Sequence, residues 1–408
     1  MLSSVARRLI TRAKSSARLP TPSRAFSEES LARYCQGGYH PVRIGDVFAN
    51  GRYEVLRKLG YGLYSTVWLA FDSEIRRHVA LKLLTADCYG HEKDTFELDI
   101  LRDIRSKAAA APESQHILSL LDTFEHVGPN GKHVCLVFKA MGPDMSRFRR
   151  EFPSYRIPIP LLKSISRQLL LALAFLHDTC QVIHSDIKPE IILIETTKIN
   201  VLFEMASLKT LLSRLPSFDP PNDFYIQSSQ ISSAKEDLSC ATEVSIRLAD
   251  FGTGGKPKLS MAFSLINPEM LRTPEVILGA KWDRKIDIWN LGLIIWELAQ
   301  GALIFDGRWS ASAPYTSEAH LAQMEAVLGK VPQSLLSRSR HRDRFFDGED
   351  QLLVPQTFPN MPLETIFTNP GMSESDKVLF LDMIKSMIQL EPRKRPDARS
   401  LLESAWLN

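Results

Sequence analysis

The side chains best suited to chemistry stand together in the stretch Val182–Ile191. An acid, Asp186, and an amine, Lys188, lie two residues apart in a short polar turn. The β-branched pair Val182-Ile183 leads into the turn, and the apolar run Ile191–Ile194 follows it at once. This pattern predicts an exposed loop between two strands that holds a carboxylate beside an ammonium group. A plain surface turn would show the same pattern, so the chemistry depends on the elements that surround it.

Two glycines and a lysine mark a second region that could meet phosphates. Strand-like runs rich in β-branched, aromatic or leucine residues are predicted at Tyr53–Leu59, Ser65–Phe71 and His78–Leu84. Gly60 and Gly62 lie between the first two runs, where missing Cβ atoms let a hairpin approach a ligand closely. A simple hairpin turn explains the glycines equally well. Lys82 points inward from the third run, where its amine would be costly to bury unless anions met it.

Glu97 is an acid at the start of a predicted helix, and a buried Lys82 amine would need such an acid close by. A helix with one apolar face is predicted to start here, because apolar residues recur at helical spacing at Phe96, Ile100, Leu101 and Ile104. Asp94 and Glu97 also fit a capping box, which would give Glu97 a local role only. Glu92 is a second candidate for the ion pair. We favour Glu97.

The elements downstream continue this alternation of strands and helices. Further strands are predicted at Ile117–Phe124, His133–Phe138 and Ser245–Leu248. A long apolar helix is predicted at Leu161–His177, and a second helix runs from Asp287 to Glu297. These elements would frame the polar turn and the glycine hairpin.

Taken in order, the motifs of this chain resemble those of protein kinases. The stretch His184–Ile191 is similar to the catalytic loop H-R-D-x-K-x-x-N, and Val79–Lys82 is similar to the V-A-I-K strand. Asp250-Phe251-Gly252 resembles the D-F-G motif, and Arg272–Glu275 resembles A-P-E with the extra Arg of the CMGC group. The lead-in Gly38–Asp46 resembles that of SR-protein kinases and their fungal relatives. The chain therefore resembles that family from about Gly37 to its C-terminus.

The resemblance implies an α+β, two-lobed protein kinase fold. A small lobe of five strands and one helix, at about 53–141, would sit on a larger helical lobe at about 142–408, with ATP between them. Residues 28–52 would form a lead-in, and 1–27 a separate basic segment. Asp250 follows Asp186 by 64 residues, so a loop insert is expected at about 196–243. SR-protein kinases carry a spacer at this position.

The same resemblance implies a role for each site residue. Asp186 is the expected catalytic base, Lys188 is expected to meet the γ-phosphate, and Asp250 is expected to chelate Mg²⁺. The residues expected to bind ATP are Gly60, Tyr61, Gly62, Leu63, Ser65, Val67, Ala80, Lys82, Glu97, Phe138, Lys139 and Met141. The residues expected to support the site, the last two as an ion pair, are His184, Arg272, Asp287, Glu275 and Arg395.

Three positions depart from the family pattern. Ser65 replaces the third glycine of the hairpin, a change that SR-protein kinases share. Ser185 replaces the Arg of the catalytic loop. Ile191 stands where the family has the Asn that holds a second Mg²⁺. An isoleucine can neither bind a metal nor hydrogen-bond the loop, so slow turnover is expected.

We therefore expect an ATP- and Mg²⁺-dependent serine/threonine protein kinase that acts on a protein hydroxyl. The resemblance suggests Arg/Ser-rich substrates and a part in regulating mRNA processing. The alternative is a nucleotide-binding pseudokinase that serves as a scaffold or allosteric partner. An error in the gene sequence at Ile191 is a third explanation. We favour an active kinase, because Asp186 and Asp250 are both kept.

The composition of the chain limits the classes of binding partner that we expect. With 44% hydrophobic and 24% charged residues, the 408-residue chain is typical of soluble globular proteins. The net charge of +3 comes from residues 1–27, which hold six basic residues and no acid. The remainder is close to neutral, so nucleic-acid binding is not expected. Five scattered cysteines indicate free thiols. No apolar run reaches the ~20 residues of a membrane span, so no span is expected. We also expect the protein to be a monomer.

Residues 1–27 have the composition of a mitochondrial transit peptide. They are rich in Arg and Ser, and Arg24–Ser27 resembles a cleavage site for a matrix protease that would cut before Ser27. This predicts a mitochondrial location. A disordered basic tail or a misplaced gene start would explain the segment too, and the family resemblance points instead to nucleus and cytoplasm.

Overall fold

The described part of the chain leaves out several of the predicted segments. This computed structural model describes residues 28–88, 96–195, 224–228, 244–252, 268–354 and 358–408. The predicted transit peptide, Asp94, Glu92, Cys240, most of the insert and most of the segment after Asp250 lie outside these residues. The fold confirms the expected two-lobed protein kinase architecture.

The small lobe is built on one antiparallel sheet. Its strands are β1 (Val47–Phe48), β2 (Tyr53–Gly62), β3 (Ser65–Asp72), β4 (Arg77–Leu84), β5 (Leu120–Gly128) and β6 (Gly131–Lys139). They lie in the order β1-β2-β3-β4-β6-β5, so the sheet has six strands and the expectation of five was wrong. A turn through Ala49, Asn50 and Gly51, all with positive φ, reverses the lead-in and lays β1 against β2. No strand-like run of residues precedes this turn in the sequence, so β1 was not predicted.

One helix, α1 (Glu97–Ala108), packs beside the sheet. Its buried face carries Leu98, Ile100, Leu101 and Ile104, as the apolar spacing predicted for the last three. Phe96 does not belong to that face. It precedes the first turn with φ 54°, which directs its side chain away from the helix, and it is half-exposed to solvent.

The large lobe is mostly helical. Its helices are α2 (Met145–Phe148), α3 (Ile159–Ala174), α4 (Pro274–Ile277), α5 (Lys285–Gln300), α6 (Ser317–Leu328), α7 (Gln333–Leu336), α8 (Arg342–Phe345), α9 (Leu363–Ile366), α10 (Glu374–Met387) and α11 (Ala398–Leu401). A two-stranded ladder, β7 (Ile192–Glu195) with β8 (Ser245–Leu248), faces the small lobe. Every residue of α5 from Ile286 to Ala299 is buried, so this helix is the centre of the lobe.

A π-helical turn, Phe175–Cys180, continues α3 and makes one helical run of 22 residues, Ile159–Cys180. By length and composition this run could cross a membrane, which the sequence analysis did not anticipate. Most of it is buried inside the protein, and α3 packs against α5 and α11. A helix buried on most of its surface by its neighbours is typical of a protein core.

Candidate active site

A cleft with a volume of about 240 Å³ lies between the sheet and the β7–β8 ladder. Twelve of the residues predicted from the sequence line it: Gly60, Tyr61, Gly62, Ser65, Val67, Ala80, Lys82, Glu97, Phe138, Lys139, Met141 and Asp250. The predicted Leu63 does not line the cleft. It sits at the tip of the β2–β3 hairpin, where its side chain is 70% exposed and turned to solvent.

The glycines of this hairpin keep the cleft open. A Cβ added at Gly60 would meet no atom within 4 Å, and one at Gly62 would meet only the Ser65 hydroxyl oxygen at 3.5 Å. Neither glycine has a positive φ. Packing and turn geometry therefore do not require glycine here. The remaining reason is the close approach of a ligand to the backbone, as a phosphate-binding hairpin needs.

Three charged side chains meet at the back of the cleft. Lys82 on β4 places its Nζ 2.6 Å from Glu97 Oε1 and 2.9 Å from Asp250 Oδ1. Burial works to lower the pKa of Lys82, but the Asp250 and Glu97 carboxylates outweigh it and the pKa lies above its ordinary value. The Lys82 charge lowers the pKa of Asp250 to about 2. The cleft therefore holds a fixed ammonium and an ionised carboxylate at neutral pH.

Glu97 is the acid beside Lys82 in the described residues, and the second candidate, Glu92, lies outside them. It is the first residue of α1 and is 3% exposed. Asp250 reaches Lys82 from the end of β8, with its backbone at φ 63° and about half of its side chain exposed to the cleft. Aspartate is among the few non-glycine residues that adopt a positive φ readily. In this conformation the Asp250 carboxylate lies beside Lys82.

The catalytic-loop pair lies beside this trio. The Lys188 Nζ is 2.6 Å from Asp186 Oδ2, and both side chains are partly exposed. Burial raises the pKa of Asp186 above its ordinary value even though Lys188 acts to lower it. A raised pKa makes a carboxylate a better proton acceptor near neutral pH. Asp186 thus has the environment that a general base requires.

Most of the loop around this pair is buried rather than exposed, which corrects the sequence prediction. His184 is 0% and Ser185 2% exposed, and Ile183 forms an isolated bridge instead of a strand. The reason is Asp287 in α5, whose carboxylate accepts hydrogen bonds from the backbone N–H groups of His184 and Ser185, each at 2.8 Å. The ring of His177 lies at 2.8 Å from the same carboxylate. These contacts hold Ser185 at φ 66° and so fix the backbone that presents Asp186.

His184 joins the loop to the metal-motif segment. Its Nε2 lies 3.1 Å from the carbonyl oxygen of Ala249, and its ring packs 5.1 Å from that of Phe251. The carbonyl of Ile191 in turn accepts a hydrogen bond from Ala249 N at 3.0 Å. Asp186 and Asp250 are therefore held by one connected backbone network.

The predicted supporting ion pair is formed. The Arg395 guanidinium donates two hydrogen bonds to the Glu275 carboxylate, at 2.6 and 2.8 Å, and both side chains are fully buried. The Arg395 guanidinium also lies 4.8 Å from the ring centre of Trp289. Arg272 has other contacts: its guanidinium lies 3.9 Å from the Glu269 carboxylate and 6.0 Å from the ring of Tyr315. The pair locks α4 to the last part of the chain.

Ile191 occupies the place of the expected amide. It ends a 3₁₀ turn, Pro189–Ile191, is 5% exposed and lines the cleft with an apolar side chain. Among the described residues, no group of three His, Cys, Asp or Glu side chains could hold a metal ion. Of the two carboxylates beside Lys82, Asp250 is the accessible one, because its side chain is 47% exposed and that of Glu97 only 3%. One Mg²⁺ shared with phosphate oxygens fits this donor set, because hard cations take carboxylate and phosphate ligands and keep several waters.

Seven cleft residues were not predicted to bind ATP: Leu59, Leu118, Gly142, Glu190, Ile191, Leu193 and Ala249. Most are apolar residues that reach the cleft only because strands from both lobes meet there. Leu193 could have been found, because alternation along β7 places it on the face opposite the buried Ile192 and Ile194. Leu118 carries no local signal.

Comparison with known proteins gives a consistent result. The protein kinase domain family matches residues 53–211 and 231–407. The chain is 33% identical to the serine/threonine-protein kinase SRPK of Physarum polycephalum, over 93% of this chain and 91% of that protein. It is 28% identical to protein kinase dsk1 of Schizosaccharomyces pombe, over 93% of this chain and 85% of that protein. It is 44% identical to SRSF protein kinase 3 of Homo sapiens over 41% of this chain and 29% of that protein.

Proposed function

The chain belongs to the protein kinase family and is a serine/threonine-protein kinase of the SRPK type, and we propose that it phosphorylates Arg/Ser-rich proteins with slow turnover. The observation that carries this proposal is the charged trio at the back of the cleft. Lys82 is held between Glu97 and Asp250 at hydrogen-bonding distance. A fixed ammonium next to a partly exposed carboxylate is what phosphate and its metal ion require.

The side chains of the site divide the work of phosphoryl transfer. Bound ATP with Mg²⁺ would supply the phosphoryl group and neutralise its charge. Lys82 would hold the phosphates, and the hairpin of Gly60 and Gly62 would cover them. Asp186, with its raised pKa, would accept the proton of the substrate hydroxyl. Lys188, 2.6 Å from Asp186, would place a positive charge where negative charge develops.

Slow turnover is proposed because of Ile191. In this family pattern an Asn side chain at that position binds a second metal and hydrogen-bonds the catalytic base. The apolar side chain of Ile191 offers neither contact, although its backbone still holds Ala249. Ground-state binding of ATP should be less affected, since Lys82 and Asp250 remain. We therefore expect a normal affinity for ATP and a low kcat.

The substrate class rests on the relatives and on charge. The name of the human relative points to SRSF proteins as its substrates, and this chain resembles it over the matched residues. Glu190 is an exposed carboxylate at the mouth of the cleft, directly after Lys188-Pro189. It gives a basic substrate one acidic contact close to Asp186. A role in mRNA processing is part of the same proposal.

A second candidate is a nucleotide-binding pseudokinase, favoured by Ile191 alone. The two functions separate in one experiment. Wild-type protein is incubated with radiolabelled ATP, Mg²⁺ and an Arg/Ser repeat peptide, beside a Lys/Ser peptide of equal length and charge and myelin basic protein. Label in the Arg/Ser peptide above the level of the Lys/Ser peptide supports the proposal. Binding of ATP without labelled product on any substrate supports the pseudokinase.

The first 27 residues carry the signal for the location of the protein in the cell. Residues 1–27 have the composition of a mitochondrial transit peptide and lie outside the described residues. We propose that the chain is imported and cut before Ser27. This would separate its compartment from the nucleus and cytoplasm that the family resemblance suggests.

A further inference from the structure

A fully buried lysine lies on β2, two residues before the glycines of the hairpin. The Lys58 side chain is 0% exposed, and its Nζ donates hydrogen bonds to Glu28 at 3.0 Å and to Glu29 at 2.5 Å. It donates a third to the backbone carbonyl of Ile226 at 3.1 Å. A buried ammonium is costly unless charged and polar partners surround it. The chain supplies these partners from two segments remote in sequence, one near its start and one within the insert.

These two segments also bind each other, and we call residues 28–39 and 224–228 the latch. The hydroxyl of Tyr225 donates to the Glu29 carbonyl at 2.9 Å. Ser228 donates to the Glu28 carboxylate from its backbone N–H at 2.7 Å and from its hydroxyl at 2.8 Å. The ring of Phe224 packs 4.8 Å from that of Tyr34. The insert thus returns to the small lobe and closes over Lys58.

The latch also reaches the tip of the glycine hairpin. The Tyr39 hydroxyl lies 2.7 Å from the Gly62 carbonyl oxygen and 3.1 Å from that of Leu63, and it donates to them. Tyr39 itself is 3% exposed, so the hydroxyl is fixed by packing. The β3 side of the hairpin is held by β4, where Thr85 N donates to the Tyr64 carbonyl at 2.9 Å. On the β2 side, the Leu63 side chain faces solvent. The latch therefore contacts the hairpin at two points, at its base through Lys58 and at its tip through Tyr39.

We propose that the latch sets the position of the glycine hairpin over ATP, with Tyr39 and Lys58 as positioning residues that act through the backbone of residues 60–63. The insert segment 224–228 is the occupant that completes the latch. This inference rests on the proposed function in that the cleft binds ATP. The role is distinct from catalysis, because neither residue lines the cleft. Weakening the latch should loosen the hairpin and reduce affinity for ATP before it affects the fold.

The sharpest test removes one hydroxyl. Tyr39→Phe deletes only the hydrogen bonds to the hairpin, and Tyr225→Phe deletes only a bond inside the latch. We expect each variant to raise the Kd for Mg·ATP, measured by isothermal titration calorimetry, by about three- to tenfold, the usual effect of one hydrogen bond. The KM for ATP should rise equally, with kcat and the KM for the peptide within about twofold of wild type. Tyr155→Phe, at an exposed tyrosine of the large lobe, is the matched control and should change nothing.

A double-mutant cycle tests whether the two tyrosines act through one latch. If they do, the combined Tyr39→Phe/Tyr225→Phe variant should weaken ATP binding by less than the product of the single effects. Lys58→Met alone leaves Glu29 buried without its partner and should fold poorly. The paired variant Lys58→Met/Glu29→Leu removes Lys58 and its closest carboxylate, while Glu28 keeps its two hydrogen bonds from Ser228. It should fold, with ATP affinity reduced in the same range.

The outcomes separate this inference from the proposed function. Wild-type protein that binds ATP but transfers no phosphate contradicts the proposed function and leaves the latch to be judged by the Kd values. Unchanged Kd values in both tyrosine variants, with or without a lower melting temperature, would show a merely structural latch and overturn the inference. Purely multiplicative effects in the cycle would overturn the role of the insert segment. A wild type that binds no ATP overturns both.

Discussion

Replacing Ile191 by Asn should increase turnover while lowering stability. The Ile191 side chain is 5% exposed and lines the cleft. Burial of an isoleucine contributes about 1.5–3 kcal/mol, so Ile191→Asn should lower the free energy of unfolding by about 2 kcal/mol. A hydrogen bond to a charged partner contributes about 1.5–3 kcal/mol. If that bond forms chiefly in the transition state, kcat should rise about ten- to a hundredfold at about 1.4 kcal/mol per tenfold.

The opposite signs of these two effects make the prediction specific. Turnover is followed with saturating Mg·ATP and an Arg/Ser peptide, and stability by thermal unfolding of the same preparations. Ile191→Ala is the control, since it loses buried surface without gaining an amide and should be no faster than wild type. Because Lys82 and Asp250 are unchanged, the KM for ATP should move far less than kcat. A wild type as fast as ordinary kinases, with Ile191→Asn neutral, would refute the reasoning.

Four further predictions follow from the site and the sequence. Asp250→Ala should abolish phosphate transfer, because the accessible carboxylate beside Lys82 is lost and the remaining one, Glu97, is buried; transfer at the wild-type rate would contradict the metal role. Phosphatase treatment should leave activity unchanged, since Ser185 replaces the Arg that an activation-segment phosphate would neutralise; loss of turnover would count against this. Protein from cells should begin near Ser27 on N-terminal sequencing; an intact Met1 with nuclear or cytosolic staining would exclude import. Burial lowers the pKa of three histidines of the small lobe, His40, His126 and His133, and that of His40 falls to about 3. Thermal stability should therefore fall as pH drops below ~6.5, because the unfolded chain then binds protons that the folded chain does not. A melting temperature independent of pH between 5 and 7.5 would contradict this.

The sequence predicted most of what local chemistry controls. The sequence predicted that one site would contain Lys82, Glu97 and Asp250. In the fold, the Lys82 Nζ lies within 3 Å of a carboxylate oxygen of each of the two acids. Strand and helix positions followed from apolar periodicity, because alternation and helical spacing reflect which face is buried. The order of the motifs along the chain predicted the two-lobed architecture, because no single motif was specific enough to do so.

The misses have physical reasons. The catalytic loop was expected to be exposed because its residues are polar. The resemblance predicted that Asp287 would support this loop, and its hydrogen bonds to the loop backbone confirm that role, but the burial of His184 and Ser185 was not predicted. Leu118 reaches the cleft only through tertiary packing. The latch was invisible for the same reason, because nothing near Lys58 in sequence shows that Glu28 and Ile226 will surround it. Contacts between residues that are far apart in the chain produce no periodic pattern in the sequence.

The most direct test of the central claim is a single-turnover measurement of phosphate transfer. Excess wild-type protein is mixed with radiolabelled Mg·ATP and an Arg/Ser peptide, and labelled peptide is followed in time beside Asp186→Asn. The account predicts slow but complete transfer by the wild type, on the Ser hydroxyl, and none above background by Asp186→Asn. ATP bound without any transfer, or equal label in both proteins, would contradict it.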